Sequence, residues 1–435
     1  MKVTAIGKTD VGRKRGHNED YIVVDPELSL YMVCDGMGGH ASGEVASETA
    51  ARTVKRWLME NRARITSFDD TGAARDGLIR LIEEAIQLAS REVYGVATSE
   101  KGKAGMGTTL TMVLCTKTVG IMGHVGDSRL YLRRGGRTYQ LSEDHTYVNE
   151  IIRRGLATPE QARKGPYSNV ITRAVGIQEN VRADTLLFDI LPGDTLLLCS
   201  DGLSKYVDSL EELGTFLDAD HQDGVPGQLI DVANSRGGSD NISTIVLRAE
   251  GDSDSEGSDR GRTTEVNLKI DTLRHVVIFR HLDMSELCKV LSVVRAIEVE
   301  KGETLMKEGE ASDALYAILE GRMQIQRGGA PVKSLLPGEH FGEMALFNSR
   351  PRSATVTALS HGKLLLMERG RFNELIRKEP QLAVKLLWSF AQVLSLRLDD
   401  ASSLLYGTQV GSFDTEVTSP FKAQVDPQML KVPVG

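Results

Sequence analysis

The stretch Glu250–Val266, EGDSDSEGSDRGRTTEV, constrains how this chain can fold more than any other. Val266 is its only apolar residue, and six acids against two bases leave it at −4. A segment with so little to bury and a repelling charge is expected to be a flexible linker. The 435 residues are therefore expected to form separate units on either side of it.

The apolar pattern changes across that stretch. Before it, Leu30–Cys34, Leu110–Cys115, Val119–Val125, Leu130–Leu132, Thr195–Cys199 and Ile242–Leu247 read as strands. Gly43–Glu60 and Ala73–Val93 read as amphipathic helices, the first with Ala46, Ala50, Thr53 and Trp57 on one face. Strands come both before the first helix and after the second, which predicts an α+β fold with helices outside packed antiparallel sheets. After the stretch, Leu273–Val294 is mostly helical. Short strands then alternate with glycine turns at Gly302, Gly309, Gly321, Gly328–Gly329 and Gly338. A long helix follows from Pro380 to Leu405, with Leu382, Leu386, Leu387, Phe390 and Leu394 as its apolar side. That pattern predicts a small β-roll closed by helices. The expected organisation is 1–249, a linker at 250–268, a second domain at 269–405 and a poorly structured tail at 406–435.

Composition narrows the class. A net charge of −8 argues against nucleic acid or an anionic membrane as partner. The basic start, Met1 to Arg15, leads into no apolar stretch, and no run approaches the ~18 apolar residues of a membrane helix. Cys34, Cys115, Cys199 and Cys288 are far apart and form no CxxC pair, which predicts buried reduced thiols in a cytoplasmic protein.

Carboxylates recur at the ends of apolar runs. Asp35-Gly36 follows Leu30–Cys34, Asp127 follows Gly120–Gly126, and Asp201-Gly202 follows Thr195–Ser200. Asp240 directly precedes the last strand of this half, and Glu19-Asp20 precedes Tyr21–Val24. One Asp-Gly is an ordinary turn. Several converging strand ends would bring like charges together, which requires cations. Oxygen ligands with no His–Cys pattern favour Mg²⁺ or Mn²⁺ over Zn²⁺. Other phosphate chemistries fail on spacing. No cysteine has Arg six residues on, Gly7-Lys8-Thr9 lacks the opening glycine of a P-loop, and no VAIK-like lysine or HRD loop precedes Asp35-Gly-Met.

The motifs Arg15-Gly-His-Asn-Glu-Asp20, Asp35-Gly-Met-Gly-Gly-His40, Gly105-Met-Gly-Thr-Thr109, Gly126-Asp-Ser-Arg129, Ser142-Glu-Asp-His145, Ile171–Gly176, Ser200-Asp-Gly202 and Ser239-Asp-Asn241 occur in order. With them, residues 1–249 resemble the bacterial metal-dependent protein phosphatases (PPM, type 2C) specific for serine and threonine. The resemblance implies a β-sandwich flanked by helices. It also implies that Asp35 bridges two Mn²⁺ or Mg²⁺ ions, that the Gly36 carbonyl is a ligand, and that Asp201 and Asp240 complete the first site. By the same resemblance Glu19 holds metal-bound water, Asp20 stands outside it, and Asp127 with Asp201 supports a third, weaker metal. Arg15 takes the phosphate, and a metal-activated water attacks phosphorus. One departure is Met37, which stands where eukaryotic members have a proposed general acid. His40 is a nearby candidate. Thr146–Asn169 corresponds to the family's flap, and its bases Arg153, Arg154, Arg163 and Lys164 read chiefly as a solvated helix face.

In the second half, Gly342-Glu-Met-Ala-Leu-Phe347 reads as a one-turn helix opened by Gly342 and Glu343, with Arg352 nine residues after the glutamate. Free amides and an arginine suit a phosphate, and a glutamate suits a ribose hydroxyl. With Lys301–Gly309 and Ala314–Ile325, this stretch resembles the cyclic nucleotide-binding domain. The resemblance implies that Glu343 binds the ribose, Arg352 the cyclic phosphate, and Gly342, Met344, Ala345 and Ser353 the rest. Ser353 leaves cyclic AMP favoured over cyclic GMP. Only Tyr406–Gly435 follows the long helix, too little for a DNA-reading module.

The expected protein is a phosphoserine/phosphothreonine phosphatase regulated by cyclic nucleotide, acting on phosphorylated proteins opposite a cognate kinase. A phosphatase-like sensor without turnover, and an active phosphatase with a nucleotide-free docking module, are the alternatives.

Overall fold

The computed structural model describes residues 1–38, 42–99, 103–163, 167, 170–207, 209–218, 224–251, 256–311, 313–347 and 350–406. The chain divides into two compact units, Met1–Thr263 and Thr264–Gly435.

The first unit runs β1 (Lys2–Asp10), β2 (Asp20–Asp25), β3 (Leu30–Met37), α1 (Ser42–Glu60), α2 (Arg62–Thr66), α3 (Gly72–Ser99), β4 (Gly107–Thr108), β5 (Leu110–Cys115), β6 (Val119–Val125), β7 (Arg129–Arg134) and β8 (Arg137–Gln140). It continues with α4 (Tyr147–Arg153), α5 (Pro159–Arg163), β9 (Asp184–Asp189), β10 (Thr195–Cys199), α6 (Asp201–Ser204), α7 (Leu210–Leu217), α8 (Val225–Ser235) and β11 (Ile242–Glu250). One antiparallel sheet has the order β1-β11-β10-β7-β8 and the other β2-β3-β5-β6-β9, with β4 paired to β3. The sheets meet where β11 touches β2 and β3.

The central strands are buried on both faces because each sheet is covered on both sides. β5 and β6 are buried at every residue. On the outside of the second sheet, α1 and α3 contribute Ala46, Ala50, Val54, Leu81, Ile82 and Ile86 to the core. Thr53 is buried on that face and Trp57 half-buried. Gly123 lets α3 approach β6: an added Cβ would lie 2.6 Å from Ile82 Cγ2. On the first sheet, α7 and α8 bury Leu213, Leu217, Leu229 and Ala233 against Leu197, Cys199 and Val246. All four cysteines are free and buried.

The second unit contains most of α9 (Glu256–His275), then α10 (Met284–Leu291), β12 (Val294–Val299), β13 (Thr304–Met306), β14 (Ala314–Glu320), β15 (Met323–Arg327), β16 (Ala330–Leu335), β17 (His340–Phe341), α11 (Met344–Phe347), β18 (Thr355–Ala358), β19 (Gly362–Glu368), α12 (Arg369–Lys378) and α13 (Pro380–Tyr406). Two four-stranded sheets, β12-β19-β14-β17 and β13-β18-β15-β16, enclose Val299, Ile318, Met323, Leu335, Phe341, Val356 and Leu364. The turn glycines at 302, 309, 321, 328, 329 and 338 all have positive φ, a region open to glycine at no steric cost.

Two expectations fail. The stretch read as a flexible linker is strand through Glu250 and helix from Glu256. Its periodicity is set by residues beyond it: Val266, Ile270 and Leu273 are buried one turn apart, and Glu265 pairs with Lys269 at 2.7 Å. Arg262 anchors the early turns to Asp189 Oδ1 at 2.8 Å and to the carbonyls of Ile190 and Thr118. On α13, Leu382, Leu386 and Phe390 are buried as expected, but Leu387 and Leu394 are 51% and 41% exposed. The buried face is completed by Ser389 and Val393; at 100° per residue Val393 lies between Leu382 and Leu386, and Ser389 borders Leu382 on its other side.

Arg134 and Asp194 fix the turn that feeds β10. Arg134 Nε and Nη2 donate to the Asp194 carboxylate at 2.8 and 2.6 Å, and Leu191 N donates to it at 2.7 Å. Both side chains are buried. Asp194→Ala would strand a buried guanidinium, so it is expected to destabilise the first unit by about 3–5 kcal/mol in denaturant unfolding. A loss below about 1 kcal/mol, the range of an exposed pair, would refute this.

Candidate functional site

Strand ends in the first unit deliver the carboxylates to one place. Asp20 and Asp35 are direct cross-strand partners on β2 and β3. Asp127 follows β6, Asp201 opens α6 immediately after β10, and Asp240 precedes β11. Their mutual repulsion is visible in the ionisation. Burial drives the Asp35 carboxyl well above its ordinary range, and Asp20, Asp201, Asp127 and Asp240 push it further. Burial also raises Asp20 to about 7 against hydrogen bonds from Ser243 and Ser200, with Asp201 and Asp240 adding to the rise. Asp127 reaches about 7 through burial, Asp201 and Asp144, opposed by Lys205 and Arg129.

Backbone and short polar side chains hold this arrangement. The Asp35 amide donates to Thr109 Oγ1 at 3.0 Å, and its carbonyl accepts from Thr109 N at 2.8 Å and Thr108 Oγ1 at 2.9 Å. Ser200 Oγ donates to Asp20 Oδ2 and accepts from Ser243 N, both at 2.9 Å. Asn241 Oδ1 accepts from Glu19 N, while its Nδ2 donates to the Val11 and His17 carbonyls, each at 2.9 Å. One side chain thus ties the Arg15–Glu19 loop to β11. An added Cβ at Gly36 would lie 2.1 Å from the Gly43 carbonyl and 2.6 Å from that of Glu19. Gly36 is therefore demanded by close backbone packing, besides any exposure of its carbonyl. The same holds at Gly202, whose Cβ would meet Asn241 O at 2.0 Å.

Arg15 and Lys205 form ion pairs with the cluster. Arg15 Nη2 lies 2.7 Å from Asp240 Oδ1, with Nη1 at 3.8 Å from Glu19 Oε2. His17 Nε2 is 3.4 Å from Glu19 Oε1. Lys205 Nζ lies 2.5 Å from Asp201 Oδ2 and 3.8 Å from Asp240 Oδ2. Burial works against the Lys205 ammonium, but Asp201, Asp240 and Asp127 outweigh it and raise its pKa. Sequence reasoning missed Lys205 and the tying role of Asn241. The only available signal for Lys205 was its position four residues after Asp201, and a tie to a distant loop leaves no local pattern.

The donor set suits a hard divalent cation. Asp20 Oδ1, Asp127 Oδ1 and Asp201 Oδ1 are buried with no hydrogen-bond partner. Buried anionic oxygens demand a compensating charge, and an all-oxygen set matches Mg²⁺ or Mn²⁺. Among the described residues, no three Asp, Glu, His or Cys side chains form a ready-made metal group. Arg15 and Lys205 instead hold Asp240 and Asp201 in ion pairs. His40 lies outside the described residues, and Met37 pairs with Gly107 on β4. In the flap region, Arg153 pairs with Glu143 at 2.9 Å and Arg154 with Glu150 at 3.4 Å. Lys164, Asn169 and the Arg163 side chain lie outside the described residues.

In the second unit, Arg352 is buried beneath the 342–347 segment. Its Nη2 donates to Ala314 O at 2.7 Å and its Nη1 to Gly342 O at 3.2 Å. Burial lowers the Arg352 pKa, and Tyr316, Glu343 and Asp313 counter it. Gly342 has φ +80°, and a Cβ there would fall 2.5 Å from Arg352 Nη1. Glu343 and Ala345 are buried, Met344 is 37% exposed, and Ser353 is exposed. The Ala345 amide, expected to face a ligand, donates to Gly342 O at 3.0 Å. Phe347 stacks on Phe390 of α13 with centroids 3.7 Å apart, and meets Phe372 of α12 edge-on at 5.5 Å.

A helix-covered antiparallel sandwich with a carboxylate cluster and an arginine beside it is suited to holding cations and an anionic group. The family model for protein phosphatase 2C matches residues 12–223, and that for the cyclic nucleotide-binding domain matches 296–379. The serine/threonine phosphatase stp of Listeria monocytogenes is 36% identical over 246 residues, covering 56% of this chain and 94% of that protein. Protein phosphatase PhpP of Streptococcus pneumoniae is 33% identical over 256 residues, covering 57% and 98%. The crystal structure of the Mycobacterium tuberculosis serine/threonine phosphatase PstP/Ppp superposes with a TM-score of 0.51 at 31% identity, covering 58% of this chain and all of that one. This chain belongs to the PPM (protein phosphatase 2C) family. It is a protein serine/threonine phosphatase, and it carries a cyclic nucleotide-binding domain in its second unit. Among the described residues, no helix is long and apolar enough to cross a membrane.

The raised carboxylates set a pH dependence. Between their ordinary range near 4 and about 7, Asp20 and Asp127 keep protons in the folded state that the unfolded chain has released. The associated stability is present at low pH and lost as pH rises through 7. His124, pushed to about 3 by burial and then by His145, acts in the opposite sense, losing stability below its unfolded pKa. Without divalent cations, the Tm of the first unit is expected to fall between about pH 6 and pH 8, because carboxylates outnumber the histidine. Mn²⁺ should raise it more at the higher pH. Differential scanning calorimetry checks this, and an equal Mn²⁺ effect at both pH values would contradict it.

Proposed function

We propose that the first unit dephosphorylates phosphoserine and phosphothreonine in proteins with divalent cations held by Asp35, the Gly36 carbonyl, Asp201 and Asp240. Glu19 orients water there, Asp20 steadies the cluster from outside, and Asp127 with Asp201 forms a weaker additional site. The observation that carries the reading is the buried set of mutually repelling carboxylates with partnerless oxygens, adjacent to Arg15. Bound Mn²⁺ or Mg²⁺ supplies Lewis acidity that lowers the proton affinity of water and offsets the negative charge. Thr108 and Thr109 bond to the Asp35 backbone, so the residue is set in its strand before any cation binds. Arg15, half-exposed on its loop, grips the phosphoryl oxygens and orients phosphorus for attack opposite the departing serine or threonine oxygen. With Mn²⁺, hydrolysis of p-nitrophenyl phosphate and of a phosphothreonine peptide is expected to be abolished by chelator. Asp35→Asn should lower it by at least about 100-fold. Turnover that survives both would refute the assignment, and a native chain without turnover would support a sensor instead.

The second unit, in this proposal, binds a cyclic nucleotide, with cyclic AMP favoured over cyclic GMP, and thereby regulates the phosphatase. Arg352 pairs with the cyclic phosphate and Glu343 with the ribose, while Gly342, Met344, Ala345 and Ser353 complete the pocket. Support comes from the burial of Arg352 and Glu343 together and from the family match. The Phe347–Phe390 stack makes α13 sensitive to any reordering of the 342–347 segment. A coupling of about 1–3 kcal/mol would change activity about 5–150-fold. The proposed setting is the cytoplasm, with phosphoproteins as substrates and a serine/threonine kinase acting in opposition. Calorimetric titration of the full chain with each nucleotide is expected to show binding that Arg352→Ala weakens at least about tenfold. Activity should change with the preferred nucleotide. Equal heats for wild type and variant would refute the pocket, and unchanged activity would leave the second unit as a docking module.

A further inference from the structure

We propose that Lys205 is a second phosphate-binding cation of the active site, stored on Asp201 and Asp240 and displaced from them by divalent cations. This rests on the reading above that those two carboxylates hold metal. Lys205 Nζ lies 2.5 Å from Asp201 Oδ2 and 3.8 Å from Asp240 Oδ2, while Arg15 Nη2 lies 2.7 Å from Asp240 Oδ1. Asp240 thus carries a cation at each of its oxygens. The two cations come from separate elements, Arg15 from the loop after β1 and Lys205 from the end of α6. Their side chains are 46% and 38% exposed, whereas those of Asp201 and Asp240 are 16% and 21% exposed. The cations therefore stand nearer the mouth, with the carboxylates beneath.

That layering gives Lys205 two alternative partners. An ammonium within 4 Å of both carboxylates competes directly with any other cation for the same oxygens. Its backbone is fixed, because Lys205 N donates to Asp201 O at 3.0 Å. The flexible four-carbon stem lets the charge swing away without moving α6. Arg15 contacts Oδ1 of Asp240 and Lys205 approaches Oδ2, so a displaced Nζ, tethered to the end of α6, leaves a second cation near Asp240 for an entering phosphoryl group. Arginine offers a planar fork and lysine a compact point charge, and both are established phosphate partners. Lys205 would also lower the affinity for metal, since a divalent cation must first displace it.

The test uses the full chain as wild type, Lys205→Gln and Lys205→Arg. Mn²⁺ affinity is measured by calorimetry, and inorganic phosphate affinity by product inhibition of the Mn²⁺-loaded protein. Lys205→Gln is expected to bind Mn²⁺ roughly fivefold tighter and phosphate roughly fivefold weaker, with Lys205→Arg close to wild type in both. A purely structural role would weaken both affinities together. Mn²⁺ affinity unchanged or weaker in Lys205→Gln overturns the proposal, as does phosphate affinity that does not fall. Wild type giving no Mn²⁺ binding overturns the metal reading itself, whereas normal wild-type binding with an indifferent Lys205→Gln overturns only the role of Lys205.

Discussion

Repulsion between carboxylates that cannot move apart organises the first unit. Asp35 is half-buried beside Asp20, Asp127, Asp201 and Asp240, and every one of these is carried on or beside a strand of a packed sandwich. A mobile loop would relieve such crowding by swinging a charge into water. Here the sheets fix Asp20 opposite Asp35, and the structure has three remaining ways to lower the energy: keep protons, pair with its own cations, or bind metal. The Arg15 and Lys205 ion pairs display the second, and the upward pKa shifts of Asp20, Asp35 and Asp127 point to the first. The fold thus concentrates negative charge at a place whose oxygen donors suit a divalent cation.

Holding that strain requires a stiff surround, and the stiffness comes from small residues. Thr108, Thr109 and Ser200 place short side chains on backbone and carboxylate partners. Gly36 and Gly202 let backbones approach so closely that a methyl group would overlap a carbonyl oxygen. Asn241 joins the Arg15 loop to the strand that follows Asp240. The Arg15–Glu19 loop and the start of β11 therefore share one support, and a disturbance of either reaches the other.

The second unit applies a related principle with opposite charge. A buried arginine is held by backbone carbonyls under a short helix, with a buried glutamate nearby. Gly342 exists in that form because a side chain there would strike Arg352. The aromatic stack of Phe347 on Phe390 gives the 342–347 segment a rigid lever onto α13.

Much of this was written in the sequence. Strand ends, turn glycines and the order of motifs are local signals, and they located the sandwich, the β-roll and the carboxylates Asp35, Asp127, Asp201 and Asp240. The sequence misled where local charge was the only cue. Glu250–Val266 looked unable to fold, yet helix formation there is set by Val266, Ile270 and Leu273 and by the anchoring of Arg262 to residues far away in sequence. Leu387 and Leu394 looked like core because periodicity alone cannot say which arc of an apolar helix meets the roll. Lys205 had no motif, since its meaning depends on Asp240, 35 positions away. Residue types and their spacing determined by themselves which chemistry the chain carries. Only the tertiary structure decided which charges face one another, because Coulomb energy depends on distance in space and burial, and neither is a property of sequence separation.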